Sequence, residues 1–133
     1  MNQFKYYQKN TAGTTPAISI PATTATNAEH VAYLDMAGFD ACALQIEWTA
    51  GAGGGTLVGK VYGSLQDDTT AAASCLYQDI TNDLFGTASI TGDSITLDGD
   101  NVMGNVKFIK LSFTIANKDA STALYVYSRM KKN

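Results

Sequence analysis

The sequence predicts an all-β, antiparallel fold: a β-sandwich or jelly roll of about eight to nine short strands with an extended N-terminal arm. Three observations predict it. Apolar and polar residues alternate with period two in several segments. Breaks rich in glycine, asparagine and aspartate recur at fairly even spacing. No helical periodicity runs for ten residues. The 133 residues, 45% hydrophobic and 16% charged with two prolines, suit one globular domain and exclude a disordered tail or a coiled coil.

Residues 4–7 (Phe-Lys-Tyr-Tyr) read as a first strand. The run 8–28 is rich in threonine, alanine and asparagine and holds both prolines. Within it only 17–20, between Pro16 and Pro21, suggests a short edge strand. The expected division is therefore an arm over 1–28 and a β-domain over 29–133. Residues 30–34 form a better strand, and 36–40 the turn that ends it.

The clearest alternation starts at Cys42, with Leu44, Ile46 and Trp48 on one face and Gln45, Glu47 and Thr49 on the other. The glycine-rich run 51–55 then turns the chain and 57–63 returns, which predicts a hairpin. Residues 64–74 read as a polar loop with one helical turn near its end, 76–80 as a strand, and 89–92 and 94–97 as two short strands. Ile109, Leu111, Phe113 and Ile115 define the inner face of a strand over 106–115. After a turn at 117–121 the last strand, 124–130, sets Tyr125 and Tyr127 opposite Leu124 and Val126.

Charge is unevenly distributed. Lys5, Lys9, Arg129, Lys131 and Lys132 place five of the nine basic residues in the chain ends, while all twelve acids lie between Glu29 and Asp119 with only four lysines among them. The overall charge of -3 argues against a dedicated nucleic-acid binder, whose footprint is a basic face. If the first and last strands are neighbours, their basic residues form one partner-facing patch on an acidic, soluble molecule.

Chemistry-bearing patterns are sparse. The single histidine, His30, has no nucleophile at a telling spacing, and Cys42 and Cys75 read as buried, reduced thiols. Two cysteines and one histidine without metal-ligand spacing predict no zinc site. Asp93, Asp98, Asp100 and Asn101 could supply oxygen ligands to calcium, but the later bidentate glutamate is missing and turn chemistry explains them better. The run 51–55 lacks the Lys-Ser or Lys-Thr and the following helix of a phosphate loop. The reading is thus non-enzymatic, with no cofactor and no metal. Residues 1–7 lack the apolar core of a signal peptide and no segment is long and apolar enough for a membrane helix, so synthesis in the cytoplasm is expected.

Trp48 lies on an apolar face and reads as core. Tyr62, Tyr125 and Tyr127 fall opposite core positions and are the better candidates for a partner-facing surface. From Trp48 to Ile80, the Trp-Thr strand end, the Gly/Ala/Thr turn, the strand 57–62 leading into Gly63 and Ser64, the Asp/Thr-rich loop and the strand 76–80 resemble small β-sandwich proteins of bacteriophage particles. The closing segment 106–130 looks similar to the end of the same domains.

That resemblance implies a virion component made in the host cytoplasm: capsid decoration or auxiliary protein, or a neck, tail or spike subunit, present in many copies. It implies contacts with other virion proteins or further copies of this chain. The candidate contact residues are Lys5, Lys9, Tyr62, Tyr125, Tyr127, Arg129, Lys131 and Lys132. The arm would order on a neighbouring subunit, so a chain lacking 1–28 should fold yet fail to assemble. The competing expectation is a lectin-like or receptor-binding module that uses its tyrosines and the loops 51–55 and 65–74.

Overall fold

A computed structural model describes residues 3–6, 18–19, 28–36, 38–66, 71–96, 106–119 and 121–132. Among these the strands are β1 (Gln3–Tyr6), β2 (Ile18–Ser19), β3 (Ala28–Asp35), β4 (Ala41–Thr49), β5 (Thr56–Ser64), β6 (Gln78–Asp79), β7 (Ser94–Thr96), β8 (Phe108–Ala116) and β9 (Ala123–Lys132). A 3-10 turn, Ala72–Ser74, and a short helix α1, Thr81–Phe85, interrupt them. The protein is all-β with two antiparallel sheets. One runs β1-β9-β4-β7, with β2 also paired to β9; the other runs β3-β8-β5-β6.

Period-two patterning explains which sides face inward. In β8, Ile109, Leu111, Phe113 and Ile115 are buried, while Lys110, Ser112 and Thr114 between them are not. In β9, Leu124, Val126, Ser128 and Met130 are buried, and Tyr125 and Arg129 are exposed. One hydrophobic cluster draws on both sheets: Cys42, Leu44, Ile46, Leu124, Val126 and Met130 from the first, and Leu34, Leu57, Val61, Ile109, Leu111, Phe113 and Ile115 from the second. Trp48 packs partly buried against this cluster, as its place beside Leu44 and Ile46 predicts. Cys42 and Cys75 are buried thiols outside any disulfide, and burial pushes the Cys42 thiol up to about 12.

The pairings are nested. β1 pairs with β9, β3 with β8, β4 with β7 and β5 with β6, each pair enclosed in sequence by the one before. Cross-links between β4 and β9 and between β5 and β8 complete the sheets.

This corrects the hairpin expected across residues 51–55. β4 and β5 belong to different sheets, so the glycine run carries the chain from one to the other. It is held there by Asp119 in the β8–β9 turn. That carboxylate accepts hydrogen bonds from the Ser121 N–H (2.8 Å), the Ser121 hydroxyl (2.7 Å) and the Gly53 N–H. Thr122 adds a bond from its hydroxyl to the Ala50 carbonyl at 2.9 Å. At Gly51, φ is +87° and a Cβ would run into Asp119, so the crossing needs glycine there.

Two further corrections concern 76–92. The strand expected over 76–80 is only Gln78–Asp79, because the chain turns into α1 at Thr81. The strand expected over 89–92 reduces to a single bridge between Ile90 and Gly59.

Candidate functional site

The outer face of the β9-β4-β7 sheet is built from the positions that alternate with the core. Gln45, Glu47 and Thr49 of β4 point away from Leu44 and Ile46, and Tyr125 and Arg129 of β9 point away from Leu124 and Val126. Register sets Glu47 beside Tyr125, and Gln45 between Tyr127 on one side and Ile95 of β7 on the other. An open groove of about 590 Å³ runs along this face, lined by Gln45, Glu47, Thr49, Asp93, Ile95 and Tyr125 among others.

The polar groups of the groove are positioned by their neighbours. Gln45 Nε2 donates to Glu47 Oε1 at 3.0 Å, and the Asp93 carboxylate accepts the Trp48 N–H through Oδ1. Tyr127 is shifted upward by burial and by the adjacent Glu47. Ile95 and Tyr125 are apolar surface left in solvent, 57% and 38% exposed. The groove thus combines two carboxylates, an amide and hydroxyls with an aliphatic and an aromatic side chain.

The second sheet's outer face has a different character. One cross-strand row reads Tyr33, Lys110, Tyr62, Asp79. The Lys110 ammonium lies 5.2 Å from the Tyr62 ring centre and 5.9 Å from that of Tyr77. Tyr77 also packs at a tilt against Tyr33, ring centres 6.1 Å apart, and donates its hydroxyl to the Ala72 carbonyl at 2.7 Å. These contacts fasten the β5–β6 connection onto the sheet. Lys60 pairs with Asp79 at 2.9 Å. Thr81's hydroxyl, then its N–H, then Lys60 hold the Asp79 carboxyl down to about 2. Val31 and Val58 stand exposed on the neighbouring rows.

The candidate contact residues therefore divide. Tyr125, Tyr127 and Arg129 lie on β9 in the first sheet, whereas Tyr62 lies on β5 in the second. Lys5 occupies β1 opposite Met130, and Lys131 and Lys132 pair through their backbones with Phe4 and Gln3. The chain ends are thus neighbouring strands. Lys9 lies outside the described residues. Sequence reading did not single out Gln45, Glu47, Asp93 and Ile95 as a group. Their common signal is parity: Gln45 and Glu47 alternate with Leu44 and Ile46, and Ile95 is an apolar residue between Ser94 and Thr96.

His30 is only partly buried, but its Nε2 is enclosed without a hydrogen-bond partner. Burial and then Lys118 lower its pKa from the ordinary histidine value; it is the third residue of β3. Among the described residues no group of three or more histidine, cysteine, aspartate or glutamate side chains is placed to hold a metal ion. Asp98, Asp100 and Asn101, read from the sequence as turn residues in preference to calcium ligands, lie outside them. Among the described residues no helix is long and apolar enough to cross a membrane. No protein-family model matches this chain, and no curated protein matches it.

Proposed function

We propose that this chain is a jelly-roll β-sandwich and a structural, non-enzymatic component of a bacteriophage particle, acting through contacts with copies of itself or with other virion proteins. The observation that carries this reading is the nested pairing. Leaving β2 aside, the remaining eight strands pair first with last, second with seventh, third with sixth and fourth with fifth. That is a long hairpin folded over on itself, the double Greek key of jelly rolls, an architecture shared by viral capsid proteins and lectins.

The outer face of β3-β8-β5 suits subunit contact. Val31 is paired with Ser112, and Val58 with Thr114. Two exposed β-branched residues on either side of small hydroxyls make a shallow surface on which another sheet or loop can close. The neighbouring strands β1 and β9 of the other sheet carry Lys5, Arg129, Lys131 and Lys132, basic residues suited to an acidic partner.

The test is density-gradient sedimentation of the protein from its natural source, with quantification by mass spectrometry. Co-sedimentation with large particles in stoichiometric amounts is expected. A purely soluble distribution overturns the reading. A Val31→Glu, Val58→Glu double variant should keep its melting temperature and lose incorporation.

A second reading, a carbohydrate- or receptor-binding module for host attachment, is favoured by one observation: the polar groove with its exposed aromatic side chain on the other sheet.

A further inference from the structure

We infer that the groove over β4, β7 and β9 binds a neutral pyranose saccharide one or two rings long; this rests on the carbohydrate-binding reading. Three features fix the ligand class. A sugar ring needs an apolar surface for its C–H face, and Tyr125 at one end and Ile95 at the other supply two such surfaces. Its hydroxyls need fixed acceptors and donors between those surfaces. Gln45 and Glu47 stand there, already oriented by their mutual bond, and Asp93 is anchored through one oxygen by the Trp48 N–H. Among the described residues, the ionisable side chains lining the groove include two carboxylates and no lysine or arginine, so uronic and sialic acids would be repelled.

Register also sets the length. Ile95 lies across from Gln45 and Tyr125 across from Glu47, on strands either side of β4. Two inter-strand spacings and one two-residue step separate their Cα atoms by about 12 Å. One or two rings fill that span. The groove is open, so a longer chain can pass through with its remaining units in solvent.

Titration of the uniformly 15N-labelled full chain tests this by NMR, with methyl glucopyranoside, methyl galactopyranoside, methyl mannopyranoside and N-acetylglucosamine as neutral probes and glucuronate and N-acetylneuraminate as anionic ones. At least one neutral probe should move the amides of residues 45–49, 93–95 and 125. Tyr125→Ala should weaken that binding by roughly tenfold and Glu47→Gln by several-fold, without lowering the melting temperature, because both side chains lie outside the core.

An anionic probe binding more tightly than every neutral one overturns the ligand class, and shifts confined to another surface overturn the groove assignment; in both cases carbohydrate binding itself stands. No shift with any probe at high millimolar concentration removes that reading as well. Concentration-dependent broadening of the groove amides without sugar would identify the groove as a subunit contact and overturn the inference.

Discussion

Thr81 shows how one side chain can take the place of a strand. It is fully buried, its Oγ1 accepts the Val61 N–H at 2.9 Å, and its hydroxyl faces the Val61 carbonyl at 3.3 Å. β6 has ended at Asp79, so without this hydroxyl the edge of β5 at Val61 would lose its hydrogen-bond acceptor inside the core. Thr81→Val keeps the shape and leaves the Val61 N–H orphaned. A loss of about 1–3 kcal/mol is expected in urea unfolding, with an unchanged m-value. Asp119 acts similarly at the other sheet crossing, but through charge. The Ser121 hydroxyl, followed by the Gly53 and Ser121 N–H groups, holds its carboxyl down to about 2 from an ordinary 3.8. A depressed carboxyl contributes stability above its unfolded value, and that contribution is lost as pH falls from about 4 through about 2. The melting temperature should therefore drop through this window, and Asp119→Asn should flatten part of the drop while lowering stability at pH 7. A variant with the same acid slope as the parent would show that the Asp119 bonds carry no net stability.

At the scale of elements, β5 and β8 form the centre of the second sheet, and their packing depends on a missing side chain. A Cβ on Gly59 would sit 2.6 Å from the Phe113 ring and 3.3 Å from Ile90. The Gly59 N–H and C=O meanwhile bond Ile90 at 2.7 and 2.8 Å. The ring lies directly over bare backbone, and Ile90 seals it from the side. Gly59→Ala overfills this space and is expected to cost about 1–3 kcal/mol by thermal or denaturant unfolding; a neutral result would mean that Phe113 can move aside. The elements with long alternation, β4, β8 and β9, were legible in the sequence together with their inner faces, because burying one side of a sheet forces period two on the residues. Pairing was not legible in the same way. Residues 51–55 say that the chain turns, but glycines serve a hairpin and a crossing between sheets equally well. The choice depends on Asp119, 66 residues beyond Gly53. Helix α1 was missed because five residues carry no period; its trace is Gly86, left-handed at φ 70° as the cap. The outward parity of Gln45, Glu47, Tyr125 and Tyr127 was readable, whereas the bringing together of β4, β7 and β9 into one groove is a property of topology.

For the whole molecule, the outermost pair of the nest joins the two ends of the chain: Gln3 lies opposite Lys132 and Tyr6 opposite Arg129. β4 covers one edge of β9, and β1 with β2 takes positions along the other. Both short strands fall within the 1–28 segment that the composition sets apart as an arm, so this part of the arm completes a sheet of its own chain. Removing it has a consequence that composition alone does not suggest. The β9 backbone from Arg129 to Lys132 would lose the hydrogen-bonding partners that β1 supplies, and an unpaired edge of this kind recruits other chains. Deleting residues 1–7 should lower the melting temperature and produce association that grows with concentration, both readable by calorimetry and analytical ultracentrifugation. A synthetic peptide of residues 1–7, added in excess, should restore the parent behaviour by rebuilding the strand against β9. If the shortened chain melts like the parent and stays at the same mass at every concentration, β1 contributes nothing to the sheet, and its single basic residue, Lys5, is available to a partner. If the peptide rescues it, a neighbouring copy's N-terminus could fill the same edge, and the nested fold would have a built-in route to exchange strands between subunits of an assembly.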